Sequence, residues 1–272
     1  MSSESSKISL YLRILSYSVL AFTLAFLINN VLTVWSDWPG VKKIFSHYEM
    51  FGFKKKALDG SALNYGFMQI GVYLICIVAV IIYVFKTYSQ TLERDSEILS
   101  NFSAYLVRSS FWAVFLVGVA DFIISFMVVE RLWEAIFSPE VKAFMVKSPE
   151  RITFIHFPII LISFVIGYFT KSVGFIWLAV LVVVSEFIIV LSRFIFSYEQ
   201  AFQGDLVRFW YAALYLFASA YALIHEGHVR VDVFYSSFSE RKKAWTNLLG
   251  SALLGVPLVL IVLFLGLNGK AS

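Results

Sequence analysis

Long apolar runs alternate with short polar segments along the whole chain. Seven of these runs come near the roughly 20 residues that an α-helix needs to cross a hydrocarbon core about 30 Å thick. They predict helices over residues 12–35, 65–85, 109–129, 152–170, 173–196, 206–224 and 244–267. Between them lie turn-forming clusters: Trp38-Pro39-Gly40, Asp59-Gly60-Ser61, Ser138-Pro139-Glu140 and Ser148-Pro149-Glu150. The first connection, residues 36–64, is long and polar and carries Lys54, Lys55 and Lys56. Trp35, Trp38, Trp133, Trp177, Trp210 and Trp245 fall near the expected span ends, where indole rings sit well at a membrane–water interface.

Composition excludes a soluble fold. Hydrophobic residues make up 60% of the chain and charged residues 15%, with a mean hydropathy of +0.80. An ordinary soluble domain has roughly 45–50% apolar and about 25% charged residues. With no water in the bilayer core, each span must satisfy its backbone internally, so helices are expected. A β-barrel would show short alternating segments, and these runs are long and continuous. The expected class is an all-α integral membrane protein of about seven transmembrane helices.

The single cysteine, Cys76, lies inside an apolar run, so there is no disulfide framework. The net charge of +4 places basic residues at span ends, where they meet lipid headgroups, and nothing indicates nucleic acid. Residues 1–7 are polar and short, and the run after them is too long for a signal peptide, so a retained first span is expected. Arg230, Arg241, Lys242 and Lys243 mark the last connection as cytoplasmic, whereas the lysines of the first loop oppose that assignment when seven spans are counted back.

The most informative polar stretch runs from His225 to Tyr235. Gly227 is placed to stop a helix. From His228 to Val233 polar and apolar residues alternate, which predicts an extended segment with His228, Arg230 and Asp232 on one face. Ser237 to Glu240 then reads as a capping box that opens the last helix. His225, His228 and Asp232 offer three possible zinc ligands, but their spacing fits no zinc pattern and a fourth ligand is missing. An interfacial connector is the favoured reading, with a subunit contact through Arg230 and Asp232 as the alternative.

Asp121 and Glu186 are acids within spans, where a charge is costly and therefore a functional candidate. Glu186 and Arg193 share a helix face about 10 Å apart, too far to pair with each other. Polar contacts between helices are the favoured role, with an ion or proton path as the alternative. His47 and His156 read as structural. The sequence holds no nucleophile triad, phosphate-binding glycine loop or paired catalytic carboxylates, so no enzymatic activity and no cofactor or metal are expected.

From about residue 177 to 250 the chain resembles the small permease subunit of tripartite ATP-independent periplasmic (TRAP) transporters, the DctQ-like family. The resemblance rests on Gly227-His228-Val229-Arg230-Val231-Asp232, then Phe234-Tyr235-Ser236 and the helix start from Ser239 to Trp245. Leu191 to Phe196, with Arg193, resembles the end of that family's first helix, and Asp205 to Phe209 the acidic start of its second. It implies a bacterial inner-membrane scaffold that binds a large permease subunit. That partner would hold the substrate and sodium sites, and a periplasmic solute-binding protein would deliver a solute, commonly a carboxylate. The expected organisation is a membrane extension of about four helices over residues 1–170 and a small-permease region over 171–272. That region is expected to lack the family's final helix, and its second helix starts with Asp205 alone where two acids are usual. The alternatives are a self-sufficient channel or carrier using Asp121 and Glu186, and a membrane assembly factor.

Overall fold

The computed structural model describes residues 3–171, 175–197, 201–224 and 234–268. These residues are helical, with no strand among them. In chain order the α-helices are α1 (Ser3–Trp35), α2 (Val41–His47), α3 (Gly60–Lys86), α4 (Leu92–Val129), α5 (Trp133–Ile136) and α6 (Pro139–Val146). They continue with α7 (Ser148–Arg151), α8 (Phe157–Phe169), α9 (Phe175–Phe196), α10 (Ala201–Ile224), α11 (Glu240–Gly250) and α12 (Val256–Asn268).

Every expected span is realised as helix. Among the described residues six stretches are long and apolar enough to cross a membrane: Lys7–Trp35, Gly60–Lys86, Leu92–Val129, Pro149–Phe169, Ile176–Ile195 and Glu240–Gly266. The expected span at 206–224 forms most of α10, which carries Gln203, Asp205 and Arg208 in its first two turns and is not among the six. The protein is an all-α multi-pass membrane protein.

Two of the spans are joined through π-helical turns, at Ile152–His156 and Ser251–Gly255. Each lies just before a proline, Pro158 in α8 and Pro257 in α12. A proline lacks the N–H that would bond four residues back, and its ring crowds that carbonyl. Widening the preceding turn lets the helix continue through the defect. The turn rotates His156 relative to a regular helix, which matters below.

The chain folds as two compact units, Met1–Asp95 with Val231–Ser272 and Ser96–Arg230. In the first, α1 and α3 form an antiparallel pair: Tyr17 meets Tyr83, Phe22 meets Tyr73 and Asn29 meets Gln69. Phe264 of α12 packs on Phe22 and Phe26 of α1, with ring centroids 6.1 and 4.2 Å apart. The long first connection is not structureless. It holds α2 and a 3-10 turn at Met50–Gly52, and buried Ile44 of α2 closes onto α3 where Gly66 has no side chain to block it. Gly40 precedes α2 at φ 80°, a conformation open to glycine, and its N–H donates to the buried Gln69 Oε1 at 2.8 Å.

In the second unit the core is Phe111 of α4, Leu178 and Val182 of α9, and Val207, Trp210 and Ala213 of α10. Helix α8 lies close against α4. Ser163 and Gly167, four residues apart, are both buried, and a side chain on Gly167 would run into the backbone of Ser109. Small residues spaced this way let membrane helices approach closely without a hydrophobic driving force. Three polar contacts line the same seam: Tyr105 O–H to the Phe164 carbonyl, Arg108 Nε to the Gly167 carbonyl and Trp112 Nε1 to Thr170 Oγ1.

Two tryptophans depart from the expected interfacial belt. Trp133 and Trp210 are buried, each 4% exposed, whereas Trp35, Trp177 and Trp245 are exposed. Trp210 sits nine residues inside α10 and fills a core position that its place in the sequence did not suggest. The expected capping box is also corrected. Ser239, not Ser237, precedes the helix at Glu240, and its side chain makes no cap bond; Ser237 Oγ donates instead to the Phe234 carbonyl.

Candidate functional site

Each compact unit carries its own arrangement of intramembrane polar groups. In the first, Arg13 of α1 is buried, 2% exposed, and makes four hydrogen bonds. Its Nε and Nη2 donate to the two carboxylate oxygens of Asp95 in the first turn of α4. Its Nη1 and Nη2 donate to the carbonyl and hydroxyl of Thr87 at the end of α3, at 2.7 and 2.8 Å. Tyr17 O–H donates to Asp95 at 3.1 Å. A buried guanidinium with nearly all its donors used and its charge matched is a structural clasp. Deeper in the same pair, Gln69 Nε2 donates to Thr33 Oγ1 and the Asn29 carbonyl, and Asn29 Nδ2 donates to the Gln69 carbonyl.

In the second unit Asp121 is the centre. Its Oδ1 accepts from Arg151 Nη1 at 3.2 Å and lies 2.9 Å from His156 Nε2. Arg151 also donates through Nε to the Met145 carbonyl at 3.0 Å, which ties the start of the fourth span to the short helix before it. The π turn at Ile152–His156 brings His156 to the carboxylate together with Arg151. These three side chains, Asp205 and Ser125 line a cleft of about 480 Å³ whose remaining wall is aromatic and apolar, including Phe122, Phe202 and Phe209.

Glu186 and Arg193 are exposed on α9 and do not line this cleft. Asp205 reaches it and also pairs with Arg208 one turn on, at 3.5 Å, with both side chains largely exposed. Gly227, His228, Arg230 and Asp232 lie outside the described residues, and so does the expected extended segment. The part of the resemblance that is described folds onto its own helix. Tyr235 exchanges hydrogen bonds with Asn247 of α11, and Lys243 lies 6.0 Å from the Tyr235 ring centroid while its Nζ bonds Glu240.

Three groups escaped the sequence reading: Arg13, Asp95 and Arg151. Arg13 did leave a signal, because a lone arginine with apolar residues on both sides, at the start of an apolar run, is a charge near the membrane like Asp121. Asp95 and Arg151 left none, since each sits in a polar stretch that reads as a loop. Among the described residues no group of three or more His, Cys, Asp or Glu side chains could hold a metal ion.

Residues 181–271, about a third of the chain, match the family described as the DctQ component of tripartite ATP-independent periplasmic transporters. No curated protein and no solved structure matches the chain.

Proposed function

We propose that the chain is the small membrane subunit of a TRAP-type secondary transporter, scaffolding a large permease that carries out ion-coupled uptake of an organic, carboxylate-bearing solute. The observation that carries this reading is the match of residues 181–271 to the DctQ component, in a chain of several membrane-crossing helices. Its place would be a bacterial inner membrane, with sodium coupling in the partner and a periplasmic binding protein supplying the solute. The polar groups agree with a scaffold. The Arg13 guanidinium spends nearly all its donors on internal partners, and Glu186 does not line the cleft that holds Asp121. The last apolar stretch, Glu240–Gly266, has no buried residue; Phe264 packs on α1, and its other faces are left to lipid or to another protein.

The experiment is a pull-down of the tagged chain from its native membrane in mild detergent, with mass spectrometry of what accompanies it. A stoichiometric large multi-span permease is the expected result. Recovery of the chain alone, stable, monodisperse and active in solute uptake in liposomes, would replace the scaffold by a self-sufficient carrier.

A further inference from the structure

The cleft around Asp121 adjoins a second, apolar pocket of about 210 Å³, and the two share Phe122 and Leu206 as a common wall. The apolar pocket runs along α9 between Leu181 and Ile188, with Val184 and Ser185 on its side. We propose that together they bind one membrane phospholipid with a zwitterionic, ammonium-and-phosphate headgroup, its head in the charged cleft and an acyl segment in the apolar pocket.

Depth supports a lipid. Asp121 lies eight residues from the end of α4, about 12 Å at 1.5 Å per residue. Arg151 stands at the start of the span Pro149–Phe169, and Asp205 lies four residues, about 6 Å, into α10. Arg151 and Asp205 therefore sit in the first turns of their helices, near headgroup level, and Asp121 lies deeper, about 12 Å in. Leu181 lies fifteen residues, about 22 Å, from the end of α9, well inside the hydrocarbon. Between the two levels stands Trp210, 4% exposed, whose Nε1 has no hydrogen-bond partner among the described residues. That nitrogen faces Gly118, which itself lines the cleft. A buried indole N–H normally has an acceptor, and a lipid ester carbonyl occurs at this depth, between headgroup and chain.

Charge selects the headgroup. Asp121 and Arg151 cancel, Asp205 and Arg208 cancel, and His156 adds a neutral donor or a positive charge according to its protonation. A site that displays both signs with little net charge complements an ammonium beside a phosphate better than a net anionic headgroup. The second pocket is mostly apolar, lined by Leu181, Val184, Ile188, Leu206 and Phe122 with Ser185 and Gln203 as its polar members, and so suits a hydrocarbon segment.

The test is native mass spectrometry of the full chain extracted from nanodiscs of equal phosphatidylethanolamine and phosphatidylglycerol. Phosphatidylethanolamine should be retained over phosphatidylglycerol by roughly fivefold, a preference of about 1 kcal/mol. Arg151→Gln should abolish the preference. Val184→Trp, at a partly exposed pocket wall, should lower total lipid retention while the chain still elutes as wild type. Ile176→Trp, exposed on the same helix but outside the pocket, is the control and should change nothing. Retention at the bilayer ratio, no retained lipid, or equal effects of Val184→Trp and Ile176→Trp would each overturn the proposal. Should Arg151→Gln fail to fold, the comparison of the two tryptophan variants decides alone.

Discussion

Arg13 and Asp95 stand 82 positions apart in sequence and form a buried ion pair, their side chains 1% and 7% exposed. The pair closes the corner where the end of α3 and the start of α4 meet the first turns of α1. Removing one partner leaves the other charge buried and uncompensated, which costs about 3–5 kcal/mol. Arg13→Leu is therefore expected to lower the thermal unfolding midpoint in detergent strongly, and Asp95→Leu to do the same. The double replacement Arg13→Leu with Asp95→Leu should recover much of the loss, because it removes both charges together. A thermal-stability double-mutant cycle measures this. Additive losses would show that the two side chains do not act as a pair.

Much of the fold was legible because the bilayer imposes one rule, a long apolar run for each crossing. The seven runs all became helices for that reason. What the pattern did not show is how the polar ends fold. Residues 92–108 read as a loop because Glu93, Arg94, Asp95 and Glu97 crowd them, yet α4 begins at Leu92. Acids in the first turn suit a helix N-terminus, so this polar stretch extends the helix. The candidate site was half legible. Asp121 stood out as a charge within an apolar run, but its partners did not. Arg151 and His156 reach it from residues 30 and 35 further on, across a π turn that no sequence periodicity announces.

The α4–α8 seam makes a prediction about volume. A methyl group on Gly167 would meet the Cα and amide nitrogen of Ser109, and backbone cannot swing aside as a side chain can. Gly167→Ala should destabilise the protein by about 1–3 kcal/mol, the usual range for overpacking. Gly71, in the middle of α3, has open space where its side chain would be. Gly71→Ala should therefore be neutral or slightly stabilising. Unfolding midpoints of the two variants, measured side by side, check the contrast, and equal losses would mean that the seam does not depend on the close approach.

The two intramembrane acids separate the scaffold from a self-sufficient carrier. Asp121 is held by Arg151 and His156, whereas Glu186 is exposed on α9 and outside the cleft. An ion or proton path would need both in one connected polar route. Glu186→Gln is therefore expected to leave solute uptake by the reconstituted complex unchanged. Counterflow or uptake assays in liposomes measure it directly. A large loss of uptake with normal assembly would make Glu186 part of a transport pathway.

The connector preceding α11 offers the test closest to the scaffold role. Arg230 and Asp232 lie outside the described residues but within the stretch 181–271 that matches the DctQ component. Close after them, Tyr235 exchanges hydrogen bonds with Asn247 and has the Lys243 ammonium 6.0 Å from its ring centroid, so it is tied to α11. Charged residues between two apolar helices are suited to meeting a partner subunit, whereas they contribute little to crossing the bilayer. Arg230→Ala is expected to reduce co-purification of the large permease while the chain still reaches the membrane in normal amount. Tyr235→Phe, which removes the hydroxyl shared with Asn247, should weaken assembly in the same direction but less. Quantified pull-downs normalised to membrane-inserted chain measure both. Wild-type co-purification and uptake for Arg230→Ala would rule the connector out as a docking element and move the contact to the exposed faces of 240–266.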